Sequence, residues 1–419
     1  MELADKLALL AGAARYDASC ASSGSSRGAG PGGIGASSPA GVCHSWTGDG
    51  RCVSLLKLLY SNACRNDCAY CASRSSADTR RASFSPEELV RITMAFYRRN
   101  YIEGLFLSSG IFSDPDIVME RLVEVARRLR EEEGFGGYIH LKVIPGSSEK
   151  LLRRAGAYAD RLSANIELPT QASLSRLAPQ KSGTEILGAM RLMSEAEGES
   201  REESGRARGW RRAAPPPFAP GGQSTQLVVG ASPEDDRTIV SLASSLYRRF
   251  GLRRVYYSAF LPVAPDPRLP PPAAPPLRRE HRLYQADWLM RCYGYAAEEI
   301  LGAAEPSLDA ELDPKAAWAL RNPGFFPVEV ESAEYERLLR VPGLGITGAR
   351  RIVAARRGSR LEAEDLGKMG IVMRRARWFL SLRGRRLGEE LGPELLRPLL
   401  AEGGGAARPP SSQLELAFA

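Results

Sequence analysis

Three cysteines crowd one short stretch, Cys64-Arg65-Asn66-Asp67-Cys68-Ala69-Tyr70-Cys71. Thiolates this close in sequence can hold three corners of a cubane iron–sulfur cluster. The spacing supplies no fourth cysteine, so the fourth iron is left for an outside ligand, the requirement for chemistry at the metal itself. A zinc site or an inert thiol cluster is the alternative, but zinc wants a fourth ligand and no second Cys-x2-Cys pair is present. The chain has 7 cysteines, and an odd number crowded before residue 72 argues for metal or redox chemistry over a disulfide framework. Cys20, Cys43 and Cys52, with His44 beside Cys43, follow no derivable metal spacing. They read as buried structural cysteines, with a second cluster or zinc as the alternative. Cys292 reads as core, and His140 and His281 read as structural.

Reactive thiols on a loop need a frame, and the pattern from Val53 onward supplies one. Strands are expected at Val53–Leu59, Gly104–Leu107, Tyr138–Ile144, Arg161–Leu168, Thr225–Val229 and Val255–Leu261. Between them lie amphipathic helices. One opens at Ser85-Pro86-Glu87-Glu88, with a capping serine, proline in the first turn and acids at the positive end of the dipole. Others are expected over Met119–Glu132, Gly183–Ser194 and Pro233–Phe250. Leu3, Leu7 and Leu10 mark an N-terminal helix. Regular β/α alternation means a parallel sheet, closed like a barrel or open and doubly wound. The cysteine stretch directly follows the first strand.

In this context the stretch resembles the signature of the radical S-adenosylmethionine (SAM) superfamily, C-x3-C-x-aromatic-C, with Tyr70 as the aromatic. The resemblance implies an α/β fold, a partial (β/α)6 TIM-like barrel. It implies a [4Fe-4S] cluster on Cys64, Cys68 and Cys71, and SAM bound to the open iron through its methionine amine and carboxylate. Reduction by a flavodoxin- or ferredoxin-type donor then cleaves SAM to a 5′-deoxyadenosyl radical, which takes hydrogen from a substrate. It also places Tyr70 near the adenine, Ser108-Ser109-Gly110 at the methionine amine, Asn165 and Glu167 at the ribose or methionyl group, and the Gln226–Gly230 strand on the adenine. Each of these also reads as an ordinary polar rim position.

The chain has 419 residues, a net charge of +8, 43% hydrophobic and 25% charged residues. That balance suits two or three core-forming domains and excludes wholesale disorder. No run approaches the ~18 apolar residues of a membrane span. The opening Met1-Glu2-Leu3-Ala4-Asp5-Lys6 lacks a secretory pattern. A cytoplasmic protein with no membrane partner is expected. Between Glu334 and Arg386 there are 14 Lys/Arg against 5 Asp/Glu, more than the whole net charge of +8. Such a block points to a polyanion, or to a solvated helical surface.

Within that block, Glu336 to Val353 reads as helix, tight turn, helix, and resembles the helix–hairpin–helix motif with Pro342-Gly343-Leu344-Gly345 as hairpin. Gly343 and Gly345 permit positive φ and an uncovered backbone. The turn amides and the next helix's N-terminus, with Thr347, Arg350 and Arg351, would then hold a nucleic-acid phosphate. A weaker copy spans Glu364 to Arg377, with one hairpin glycine, and reads as packing more than binding. The tail Gln413-Leu414-Glu415-Leu416-Ala417-Phe418 resembles a bacterial sliding-clamp-binding peptide.

Taken whole, the chain is most similar to putative DNA modification or repair radical SAM proteins. Further matching stretches are Tyr16–Cys20, Cys43–Trp46, Gly222–Leu227 and Leu283–Trp288. The expected organisation is an N-terminal extension with a helix and a Cys-containing loop (1–52), then the partial barrel (53–268) with an irregular insertion at 197–220. A helical connector (269–330), a small all-α tandem helix–hairpin–helix domain (331–388) and a C-terminal helix with flexible tail (389–419) follow. The implied substrate is DNA; RNA, or a non-catalytic iron–sulfur adaptor on nucleic acid, are the alternatives.

Overall fold

The computed structural model describes residues 1–14, 42–46, 52–209, 217–262, 266–271, 274 and 276–401, with backbone alone for 42–46, 52–53 and 207–209. Cys20 and Gln413–Phe418 lie outside the described residues, as do the side chains of Cys43, His44 and Cys52. The chain divides into two units, Met1–Glu234 with Ser245–Pro276, and Asp235–Ser244 with Leu277–Ala419.

In the first unit α1 (Leu3–Ala14) precedes β1 (Val42–Trp46) and β2 (Cys52–Leu59). Then come α2 (Pro86–Arg98), β3 (Gly104–Ser108), α3 (Pro115–Glu131), β4 (Tyr138–Lys142), α4 (Glu149–Tyr158) and β5 (Arg161–Ser163). Next are α5 (Gln171–Leu177), α6 (Gly183–Gly209), β6 (Gln223–Val229), α7 (Asp236–Phe250), which begins in the second unit, and β7 (Arg254–Ala259). The seven strands lie in sequence order, β1 antiparallel to β2 and all others parallel. The six parallel strands curl into a half-barrel.

All six expected strands are present, and the helix at Ser85 has its capping box: Ser85 Oγ accepts from Glu88 N while Glu88 accepts from Ser85 N. Three expectations are corrected. β1 was read as loop. β5 leaves the ladder after Ser163, because Ile166 N donates to the Thr225 hydroxyl and Glu167 turns to φ 66°. The helix read as ending at Ser194 continues through the expected irregular insertion to Gly209. Its outer face is stitched by Arg201–Glu197 and Arg206–Glu202 at i,i+4, which support a helix without apolar periodicity.

Parallel neighbours in register share a face. Lys57, Phe106 and His140 therefore line one row of the sheet, and Lys142, Ser163, Ser224 and Arg254 another. The opposite face carries Leu105, Leu107, Ile139, Leu141 and Leu162, all fully buried.

The second unit holds α8 (Leu277–Tyr293), α9 (Ala297–Ile300), α10 (Pro314–Arg321), β8 (Val328–Glu329), α11 (Tyr335–Leu339), α12 (Ile346–Ala355), α13 (Ala363–Lys368) and α14 (Met373–Ala376). Two short strands, β9 (Leu380–Leu382) and β10 (Arg385–Arg386), and α15 (Pro393–Leu400) complete it. The expectation of an all-α unit is thus corrected: β8, β9 and β10 form a small sheet, in which Glu329 accepts from Ser381 Oγ and from the amides of Arg383 and Gly384. Among the described residues no helix is long and apolar enough to cross a membrane.

Candidate functional site

Cys64, Cys68 and Cys71 sit on the loop that leaves the C-terminal end of β2. Cys68 is 5% exposed, and the other two are half-buried. Sulfur of Cys64 accepts from Ile111 N and that of Cys71 from Ser73 N, both at 3.4 Å. Amide donors of this kind stabilise thiolate charge and are what a cluster ligand needs around it. Among the described residues no three His, Cys, Asp or Glu side chains converge as ligands of a single ion. Burial pushes the Cys68 thiol up to about 12, against the opposing cation of Lys181. Burial likewise raises Cys71, which Ser73 N and Lys181 oppose. Metal binding must therefore expel protons from these thiols. The donor set fits a three-thiolate cluster.

The loop after β3 presses directly on this one. Gly110 N donates to Ser61 O and Arg65 N to Ile111 O, each at 2.7 Å. A Cβ on Gly110 would stand 2.4 Å from Ala63 O and 3.2 Å from Cys64 Cβ. Glycine is required there for the approach to the cysteine loop. Ser108 is buried at the end of β3, and Ser109 Oγ donates to Gly110 O. Tyr70 belongs to the same loop; burial raises its phenol well above the ordinary range, with the negative fields of Glu167 and the thiols adding to it. Asn165 and Glu167 follow β5 and are both buried. Glu167 accepts from Lys181 Nζ at 2.5 Å. Burial opposes the Lys181 charge, but Glu167 and Cys68 outweigh it and raise its pKa.

Sequence reading missed the side chains that hold the loop in place. Arg81 donates to the carbonyls of Asn62, Ser73, Arg74 and Ala77. Arg74 donates to Ala69 O and pairs with Asp266 at 2.8 Å. Arg268 pairs with Asp266 at 2.6 Å and with Asp67 at 3.0 Å. Arg268 first, and Arg74 with it, holds the Asp266 carboxyl down at about 2. A sequence signal existed only for Asp67, which lies inside the motif. We expect Arg81→Ala to lower stability by about 2–4 kcal/mol and to reduce iron loading, since four carbonyls lose one donor. Arg81→Lys should rescue little, because an ammonium cannot reproduce the planar fork. Iron per chain after anaerobic reconstitution, with Tm, measures both; wild-type values in Arg81→Ala would contradict the role.

In the second unit Gly343 has φ 81°, and its missing Cβ would lie 2.8 Å from Val372 O. Val372 N donates to Gly343 O at 2.9 Å, so the two turns pack on each other. Gly345 is corrected: it caps α12 with φ −92°, in no need of a glycine's freedom, and open space surrounds it except for the Tyr293 hydroxyl at 3.6 Å. Lys315, buried, donates to Leu344 O at 2.5 Å and sits 4.7 Å over the Tyr293 ring. Burial pulls its pKa down to about 7 against the pull of Asp313. Thr347 is half-buried, Arg350 is exposed, and Arg351 donates to Met369 O. The basic block thus splits in two. Arg340, Arg356, Arg375 and Arg383 bind carbonyls or carboxylates of the unit. Arg350, Arg357, Arg360, Arg374 and Arg385 are exposed and make no ion pair among the described residues. His140 is buried, with Nε2 2.9 Å from Ser163 Oγ; His281 and Cys292 are half-buried on α8.

Residues 58–200 match the Radical SAM superfamily. Among solved structures the chain is similar to HydG, a maturase of the [FeFe]-hydrogenase, at 15% identity over 55% of this chain and 48% of that one, with a TM-score of 0.40. HydG from Carboxydothermus hydrogenoformans gives 16% identity, 56% and 50% coverage and a TM-score of 0.41. Methylornithine synthase (PylB) gives 16%, 48% and 52%, and 0.38. The chain spans about half the length of each of these relatives. Among curated proteins no match is found. The matched stretch contains Cys64, Cys68 and Cys71, so it is this part of the chain that is similar to a radical SAM domain.

Proposed function

We propose that the chain is a radical SAM enzyme, with a [4Fe-4S] cluster and SAM as cofactors, and that it acts on nucleic acid, with DNA as substrate in modification or repair. The observation that carries the reading is the set of exposed arginines that make no ion pair among the described residues, Arg350 on α12 among them. Exposed arginines without carboxylate partners are available to phosphates, and contacts through backbone phosphates position without reading sequence. Cys64, Cys68 and Cys71 would hold the cluster, and Ile111 N and Ser73 N would steady two of their sulfurs. The bound cofactors supply one-electron cleavage of a sulfonium and abstraction of a substrate hydrogen. Tyr70, Ser108, Ser109, Gly110, Asn165 and Glu167 lie on the loops and strand ends around the thiols, where SAM would be oriented. Lys181 keeps a cation beside Cys68 and Cys71, which offsets thiolate charge. A flavodoxin- or ferredoxin-type protein would deliver the electron. The tail Gln413–Phe418 would tether the enzyme to a sliding clamp.

The test is anaerobic incubation with SAM, dithionite and deuterium-labelled DNA or RNA. Deuterium should appear in 5′-deoxyadenosine with DNA. Its appearance only with RNA would move the substrate to RNA. Release of unlabelled 5′-deoxyadenosine with both would remove nucleic acid from the proposal and leave the SAM chemistry standing.

A further inference from the structure

Lys315 stands in the first turn of α10 and is only 8% exposed. Its Nζ donates to Leu344 O at 2.5 Å and makes no other hydrogen bond among the described residues. The Tyr293 ring lies 4.7 Å away. A buried ammonium is stable when a carboxylate or several acceptors surround it, and this one has a single carbonyl. Asp313 is the carboxylate whose field favours its charge. Yet Asp313 Oδ1 caps α10 through the amides of Lys315 and Ala316, and Oδ2 pairs with Arg375. Arg375 and Arg340 oppose the Lys315 charge, and Arg340 has Glu299 at 3.1 Å as its own partner. Burial raises the Tyr293 phenol, against hydrogen bonds with the Ile346 backbone and the Trp288 side chain, so it brings no negative charge near neutral pH. Lys315, Arg340 and Arg375 thus share two carboxylates, Asp313 and Glu299. Burial first, and the two arginines with it, brings Lys315 down to about 7 against the field of Asp313.

What Lys315 touches is the glycine turn itself. The Leu344–Gly345 peptide is trans, so its carbonyl and its N–H point in opposite directions. The carbonyl takes the ammonium, and the Gly345 N–H faces away from it. Among the described residues that amide makes no hydrogen bond. A cation on a peptide oxygen polarises the N–H of the same peptide and strengthens its bond to an anion. An anion on that N–H in turn supplies the negative charge that the cluster around Lys315 lacks.

We propose that Lys315 is a positioning residue of a phosphate site at this turn, acting through the Leu344–Gly345 peptide, and that a bound polyanion draws a proton from the buffer onto it. The proposal rests on the nucleic-acid reading for the identity of that polyanion. The sign follows from linkage. The charged amine favours binding, so affinity is full where the free protein already holds the proton. Affinity falls as pH rises from the pKa of the free protein toward the higher one of the complex.

The experiment is calorimetric titration of the cluster-loaded full chain, anaerobic and at fixed salt, with a DNA duplex and with inorganic polyphosphate. Two buffers of different ionisation enthalpy report the protons taken up. Affinity for DNA should fall about fivefold or more from about pH 6.5 to about pH 8.5, with roughly half a proton or more taken up between them. Lys315→Met should bind at the weaker level at both pH values. Lys315→Arg should bind at the stronger level at both, since a guanidinium keeps its proton. Thermal melting shows which variants fold, and either folded variant decides the matter. A folded variant with the wild-type pH slope and proton uptake would overturn the role of Lys315 and leave DNA binding standing. So would wild-type DNA affinity that ignores pH and takes up no proton. Polyphosphate binding with a Lys315-dependent slope, without DNA binding, would keep the role and overturn the nucleic-acid reading. Binding of neither polyanion would overturn both.

Discussion

Replacement of Cys68 by alanine is expected to abolish cluster loading and SAM cleavage together. Cys68 is the most buried of the three thiols, and burial pushes it up to about 12. A thiol in that environment is protonated at neutral pH unless a metal displaces its proton. Lys181 stands beside this group, inside a loop tied by Arg74, Arg81 and Arg268, an environment that would suit a metal-bound thiolate. Removal of one of three ligands leaves two irons without protein donors. Iron and sulfide per chain should fall to background, the electron paramagnetic resonance signal of the reduced centre should vanish, and no 5′-deoxyadenosine should form. Loss of SAM cleavage should exceed about 10³-fold, because the reaction has no route without the cofactor. Iron content at the wild-type level would sink the ligand assignment. Arg268→Ala serves as the comparison: it loosens the loop through Asp67 and Asp266 but keeps all three thiols, so partial loading separates scaffold from ligand.

The frame of this site was legible because its signals are local. Strand runs such as Val255–Leu261 and the capping serine before Pro86 announce themselves within a few residues, and the three cysteines do so within eight. What was not legible depends on partners far away in sequence. Arg81 looks like any surface arginine until four carbonyls surround it. Asp266 and Arg268 sit in a proline-dense stretch at the expected end of the barrel, yet Arg268, paired with Asp266, holds Asp67 some two hundred residues away. Gly110 could be read as leaving room for a ligand; the space is taken by Ala63 and Cys64. The helix over 195–209 escaped notice because ion pairs at i,i+4, and no apolar stripe, sustain it.

The two turn glycines should separate folding from binding. Gly343→Val places a β-branched residue at φ 81°, and its Cβ would lie 2.8 Å from Val372 O. Strain and contact together should cost on the order of 2–4 kcal/mol and part the two turns. Loss of DNA binding in that variant would then follow from a damaged unit. Gly345→Val meets neither obstacle: φ is −92° and the nearest atom is the Tyr293 hydroxyl at 3.6 Å. It should keep wild-type Tm within about 1 kcal/mol of stability. It should still weaken DNA binding about tenfold, because the side chain covers the amides before α12 that a phosphate would approach. Arg350→Ala, on the exposed face of α12, should lower affinity uniformly across sequences and reduce the salt dependence by about one phosphate contact. Fluorescence anisotropy with two unrelated duplexes at several salt concentrations reads all three. If Gly345→Val and Arg350→Ala bind both duplexes as the wild type does, with unchanged salt slope, phosphate contact lies elsewhere on the chain, and the glycine turn is a packing device for its neighbour.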